Sequence, residues 1–447
     1  MTQPQAFLAD LNPVINRLKT LAFEPTHLTL EGKSYPWMHY KFSFTLDSPI
    51  LSLSSPLAFP KILWHEKDTG YSSIHFGSTL SFSHIPTFSP NSHKAPLDFF
   101  YIQDFGKRKT NLWSTLPNKL CFLPLISLHQ TFFLSRANTV LLKANFFSLE
   151  DIKRAIAFLE SLNSHGLTPP QTPLSKNYLP SKLKWKKQIE RAKTQIEKQV
   201  YDKVVLSRLA SLHFEKPIDT YSTLTRLLTN PGQGTAFCFA PDNSTSFLGL
   251  TPEILYKRLG SQLNTMALAG TIGRGKTERE DNKLAKKLLA SAKDFHEFDL
   301  VRIGITQALK KLCIYTDTPF GPVSVLKTAH VQHLFSPIKR TLMPGVNDQT
   351  LITALHPTPA ISGWPKTASM AEIFRSEQFD RGYFSAPVGF ISPSQTQIHV
   401  AIRSALITDN TLHLFSGAGI TAQSDPQKEW DELESKLRPF LSTLKIQ

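Results

Sequence analysis

The chain has 447 residues, 41% of them hydrophobic and 11% aromatic with 31 phenylalanines, ample for a buried core. No apolar run reaches the length of a membrane span, and the opening Met1-Thr2-Gln3-Pro4 has no signal-peptide pattern, so a cytoplasmic protein without membrane contact is expected. Cys121, Cys238 and Cys313 are too few and too far apart for a disulfide framework or a zinc ribbon, and the net charge of +15 is spread along the chain without a nucleic-acid motif.

In chain order, the first 150 residues alternate short Phe-, Leu- and Ser-rich strands (27–30, 40–46, 72–76, 79–82, 119–122, 140–147) with Pro, Gly and Asn turns. With a helix at 149–162, this defines a β-rich amino-terminal half, 1–165. The Pro- and Ser-rich stretch that follows is the best linker candidate, so 166–190 is taken as linker and helix start. The densest basic cluster, Lys182 to Lys198, carries Trp185, Ile189, Ala192 and Ile196 at helical spacing, which makes its lysines the solvated face of an amphipathic helix. From 191 to 447, strands and helices alternate. A strand at 203–212 precedes a helix at 221–228, stopped by Pro231-Gly232. Hairpins follow at 236–250 and 254–269, then one long helix at 278–312, then a hairpin over 398–415 turning at Asp409-Asn410.

Gly270 to Thr277 satisfies the G-x-x-x-x-G-K-T pattern of a phosphate-binding loop, after a strand and before a helix. A nucleotide enzyme also needs a metal-holding Asp at the end of a later apolar strand. No such run follows residue 277, and the preceding strand reads as half of an antiparallel hairpin. Nucleotide hydrolysis is therefore a lesser alternative.

The last forty residues carry a denser signal. Ser416-Gly417-Ala418-Gly419-Ile420 reads as a small-residue turn leading into a helix capped by Ser424, with Pro426 in its first turn and Glu429, Glu432 and Lys436 along one side. Such a helix start could hold a small carboxylate beside a metal-holding one. Three further positions stand out: Lys203 opening an apolar strand, where a buried lysine can serve as a base, Glu253 in Thr-Pro-Glu at a strand start, and Glu297 flanked by His296 and Asp299. His330 and His333 form H-x-x-H but lack a third ligand, so burial or pocket lining fits them better than metal.

These residues, in this order, resemble the chorismate-utilising enzymes, and among them the isochorismate synthases. The resemblance rests on KVVLSR (203–208), FLGLTPEIL (247–255), ALAGT (267–271), SAKDFHEFDLV (291–301), QHLFSP (332–337), LHPTPAISGWP (355–365), EQFDRGYFSAPVGF (377–390), VAIRSAL (400–406) and GAGI with SDPQKEWDELESK (417–436). It is dense from about 195 to 445; before that, 60–77 alone echoes an amino-terminal strand pair of the family.

The resemblance implies an α/β (α+β) enzyme, a single large module of layered antiparallel sheets wrapped by helices, acting as a monomer on chorismate. It implies Mg²⁺ held by Glu297 and Glu432, Lys203 as the base that activates water, and Glu253 as the acid for the departing hydroxyl. Gly270, Thr271 and Lys436 are expected to grip the ring carboxylate, Arg403 with Gly417, Ala418 and Gly419 the enolpyruvyl carboxylate, and His333 to line the pocket. Lysine at 203 argues for water over ammonia as nucleophile, and Ala269 leaves no lysine for a covalent intermediate. Salicylate synthases, which also eliminate pyruvate, share the four catalytic positions; Ala360 and Ile361 look more like a plain isochorismate synthase. A chain without a carrier domain leans towards menaquinone supply. Two departures stand out: region 83–118 lacks an expected Gly-Gly segment, and Phe298 stands where relatives often place His.

Overall fold

The strand Lys119–Thr131 is the seam of the molecule. Its 121–131 portion pairs with Tyr71–Phe82, its 119–122 end with Phe99–Gln103, and its 126–130 portion with Thr139–Phe146. Two arms of sheet leave this seam. One runs through Lys61–Glu66, Thr235–Ala240, Thr245–Thr251, Ser404–Thr408 and Thr411–Ile420 to Lys203–His213. The other runs through Pro387–Ile391, Gln395–Val400, Ile254–Leu259 and Gln262–Gly273 to Val331–Thr341. Every one of these pairings is antiparallel. In this computed structural model the residues described are 3–46, 49–89, 95–131, 139–164, 166–229, 234–314, 320–328 and 331–445.

Phenylalanines hold the arms face to face. Phe100 and Phe122 meet Phe237, Phe239, Phe247 and Phe415 in one buried cluster, with Phe100 stacked on Phe239 at 5.5 Å between ring centroids. Each such side chain contributes about 1.5–3 kcal/mol on burial. Helices cover the outer faces: Ala292–Leu309 and Glu278–Leu289 lie on Gln262–Gly273, and Pro426–Thr443 lies on Thr411–Ile420.

Two of the chain's crossings between the arms lie side by side. Pro252-Glu253 joins Thr245–Thr251 to Ile254–Leu259, and Ala401-Ile402-Arg403 joins Gln395–Val400 to Ser404–Thr408. The crossings are tied together where Leu250 N–H donates to the Arg403 carbonyl at 3.1 Å and Val400 N–H to the Glu253 carbonyl at 3.0 Å. Arg403 turns with φ +52°, and a Cβ at Gly249 would stand 2.8 Å from its carbonyl oxygen, so the crossing requires glycine there.

Several local expectations are revised. The expected single helix over 278–312 is two, because Ser291 caps a second one by accepting the Asp294 N–H. Gly417-Ala418-Gly419 is not a turn but part of the strand Thr411–Ile420. The last helix is capped by Asp425, which accepts from Gln427 and Lys428 N–H, while Ser424 Oγ accepts from Thr421 N–H. That helix start is thus filled by its own side chain and not by a ligand carboxylate. A helix at Gln3–Lys19 was not anticipated, although Leu11, Val14, Ile15 and Leu18 repeat at helical spacing and are buried. Within the proline-rich stretch, Ser175–Leu179 forms a strand paired with Leu209–His213. Pro231-Gly232, His330 and the first two residues lie outside the described residues.

The phosphate-loop pattern does not make a phosphate cradle. Thr277 caps the helix Glu278–Leu289, Lys276 N–H donates to Glu280 Oε2 at 2.9 Å, and Gly275 N–H to Asp281 Oδ1 at 3.0 Å. The donors a phosphate would need are already taken by the chain's own carboxylates.

Candidate active site

A cleft of about 710 Å³ opens between the arms beside the two crossings. Its wall includes Glu253, Gly270, Thr271, Glu297, His333, Arg403, Gly417, Gly419, Glu432 and Lys436, so ten of the twelve positions singled out in the sequence come together. Lys203 stands just behind them. Ala418 does not join: strand alternation turns its methyl group to the opposite face, where it is buried in the main core.

Lys203 is fully buried, and its ammonium lies 2.8 Å from Glu297 Oε1. The approach is close but poorly aligned, so the ammonium is ion-paired without a well-directed hydrogen bond. Burial alone would push the Glu297 carboxyl up; the Lys203 charge, helped by Lys436 and Lys293, outweighs it and holds the group below its ordinary value. The pair fits because position 419 is glycine. A Cβ there would meet Glu297 Oε1 at 2.6 Å and Lys203 Cε at 2.8 Å.

Glu253 has the opposite electrostatics. It is 5% exposed, and burial pushes its carboxyl up to about 7 despite the Thr358 hydroxyl, 3.4 Å from Oε1, and the Lys203 charge, which both pull it down. One cleft thus holds a carboxyl protonated near neutrality and a carboxylate kept ionised.

Gly270 is the extra residue of a bulge. Ala269 faces Leu334 and Thr271 faces His333, leaving Gly270 unpaired at φ +67°, with Asp294 Cβ 3.1 Å from where its own Cβ would be. His333 Nδ1 lies 3.0 Å from the Gly270 carbonyl, which can only accept, so Nδ1 carries the proton. Nε2 then accepts from Arg403 Nη2 at 3.3 Å. Burial first, then the Arg403 charge, pushes the imidazole down to about 3, so it stays neutral and orients Arg403. Burial also lowers the Arg403 guanidinium, to about 10, which leaves it charged at neutral pH. Lys436 Nζ is 2.6 Å from both the Gly417 carbonyl and Glu432 Oε1.

The sequence reasoning passed over Asp294, and placed Glu429 on the site face of its helix without giving it a role. Asp294 and Glu429 stand one helical turn before Glu297 and Glu432, a repeated i, i+3 pair that could have signalled them. Burial first, then the Glu432 charge, holds Glu429 up at about 7, with Lys293 3.5 Å away. Glu297 and Glu432 both line the cleft wall and are the two carboxylates that could share a dication. Among the described residues no three His, Cys, Asp or Glu side chains converge on one point. Other groups proved peripheral: Asp299 pairs with Arg302 at 3.0 Å, Asp431 accepts from Gln427 at an exposed turn, and Phe298 is core.

Residues 80–445 match the family model described as chorismate binding enzyme. The chain belongs to the chorismate-binding enzymes. It is 40% identical over 262 residues to the isochorismate synthase MenF of Bacillus subtilis, covering 58% of this chain and 55% of that protein. To the Escherichia coli isochorismate synthase MenF it is 33% identical over 282 residues, 62% of this chain and 63% of the other. The chain spans about half the length of the first curated relatives it matches. A solved structure of the menaquinone-specific isochorismate synthase MenF from Escherichia coli superposes with a TM-score of 0.84 at 26% identity, covering 98% of this chain and 99% of that one. Anthranilate synthase component I of Streptococcus pneumoniae shares the fold at 0.63 and 18% identity. No helix among the described residues is long and apolar enough to cross a membrane.

Proposed function

We propose that the chain isomerises chorismate to isochorismate. The observation that carries this reading is the contrast inside one cleft between Glu253, pushed up to about 7, and Lys203, ion-paired with Glu297 at 2.8 Å. Lys203, in the neutral form reached once its own proton has passed to solvent, takes a proton from a water that attacks ring carbon 2. The ring double bonds shift, the bond from carbon 4 to its hydroxyl breaks, and Glu253 protonates that hydroxyl as it leaves. One water is consumed and one released, so the net change is an isomerisation.

Gly270, Thr271 and Lys436 hold the ring carboxylate. Arg403, oriented by neutral His333, holds the enolpyruvyl carboxylate with the backbone at Gly417 and Gly419. Glu297 and Glu432 would hold Mg²⁺, which would supply positive charge against the ring carboxylate and would weaken the hold of Glu297 on the Lys203 proton. Ala269, Ala360 and Ile361 present apolar surface to the cleft and leave no covalent lysine. The menaquinone-specific solved relative supports menaquinone supply as the use of the product.

The direct test mixes purified protein with chorismate and Mg²⁺ and separates the products by chromatography. Isochorismate without pyruvate is expected. Salicylate with pyruvate would move the chain to the lyase branch, and no turnover would overturn the proposal.

A further inference from the structure

Ser385 lines the cleft between Phe384 and the second crossing, and nothing said so far gives it a task. It is 2% exposed and sits at φ +61°, the left-handed region that a side chain enters at a cost. Its backbone has no freedom to leave. Ser385 N–H donates to the Ala401 carbonyl at 3.0 Å, and Ala401 N–H to the Ala386 carbonyl at 2.8 Å, which locks the residue against the segment carrying Arg403.

The hydroxyl is the unusual part. Ser392 Oγ donates to the Gln395 carbonyl at 2.7 Å and Ser404 Oγ to the Ala401 carbonyl at 3.0 Å, whereas Ser416 Oγ, also on the cleft wall, is buried without a partner among the described residues. Ser385 Oγ has no partner among the described residues, while Phe384, Phe415, Ile402 and Ile361 make this end of the cleft apolar. Glycine would take this backbone conformation without strain, and alanine would bring no polar group to satisfy. Serine keeps the backbone strain and presents an unspent hydroxyl to the cleft, which is accounted for if a ligand oxygen completes the hydrogen bond.

We propose that the Ser385 hydroxyl donates a hydrogen bond to the enolpyruvyl carboxylate of the substrate, beside Arg403. This rests on the chorismate reading above and makes Ser385 a substrate-binding residue.

Steady-state kinetics with chorismate and Mg²⁺, together with thermal unfolding, are measured for wild type, Ser385→Gly and Ser385→Ala. Both variants should lose about ten- to hundredfold in kcat/KM, chiefly through KM, as expected for a lost hydrogen bond to a charged group. Ser385→Gly should melt no lower than wild type, because it relieves the left-handed strain. Wild-type kcat/KM in either variant, with wild type active, would overturn the proposal for Ser385 alone. A loss of activity that follows a lowered melting temperature in Ser385→Gly would make its role structural and also overturn it. Wild type inert towards chorismate would overturn the functional reading and this one with it.

Discussion

The Lys203 ammonium and Glu297 Oε1 lie 2.8 Å apart with the lysine side chain 1% and the glutamate 16% exposed. A pair so far from water is costly to break from one side only, by about 3–5 kcal/mol. Glu297→Gln should therefore lose stability in that range in denaturant unfolding. The double variant Lys203→Met with Glu297→Met should recover much of it, and neither should turn over substrate. Additive losses in the double variant would mean that the two charges do not depend on each other.

Glu253 gives the reaction a pH limit. With its carboxyl at about 7, an acid role requires kcat/KM to fall as pH rises through that value. The Thr358 hydroxyl pulls the group down, so Thr358→Val should move the limb to higher pH; an unmoved limb would assign it to another group.

The same group makes stability depend on pH. Because the folded value lies above the unfolded 4.5, the folded state binds the extra proton, and the stability this gives is complete below 4.5 and lost by about 7. The gap corresponds to about 3 kcal/mol. Glu253→Gln should match wild type at pH 4.5 and be the more stable protein at pH 8, read as melting temperatures. A variant less stable at pH 8 would contradict the burial argument.

Adjacent residues of one strand should separate catalysis from folding. Gly419→Ala drives a methyl group into the Lys203–Glu297 pair and should cost at least about 100-fold in kcat/KM, with a stability loss no larger than the ~3–5 kcal/mol expected of Glu297→Gln. Ala418→Gly opens the core on the other face and should cost about 1–2 kcal/mol of stability with kcat kept. The reverse pattern would mean that the strand has been assigned the wrong faces.

Lys276→Ala should leave chorismate turnover unchanged within about twofold, since Lys276 is exposed and its N–H is spent on Glu280. ATP hydrolysis lost in this variant would revive the phosphate-loop alternative.

The site was more legible than the fold around it. Lys203, Glu253, Glu297 and Glu432 are recognisable because the order of their motifs resembles a family. Their convergence depends on two crossings between sheet arms, which no local pattern displays. The Gly417-Ala418-Gly419 string was read as a turn because it suits turn and strand equally, and only pairing with Lys203–His213 makes it a strand and sets its faces. The break at Ser291 was available from serine's capping preference but was masked by continuous helical periodicity on both sides. Ser385 left no trace, because left-handed serine is imposed by tertiary hydrogen bonds.

The central claim is that Lys203 directs a solvent water to ring carbon 2 while Glu253 releases the hydroxyl at carbon 4. The most direct measurement is mass spectrometry of the product formed from chorismate and Mg²⁺ in ¹⁸O-labelled water, with Lys203→Ala and Glu253→Gln alongside. Isochorismate carrying one ¹⁸O at carbon 2, formed by wild type and by neither variant, is the predicted result. Unlabelled isochorismate, or labelled product still formed at the wild-type rate without Lys203 or Glu253, would contradict it.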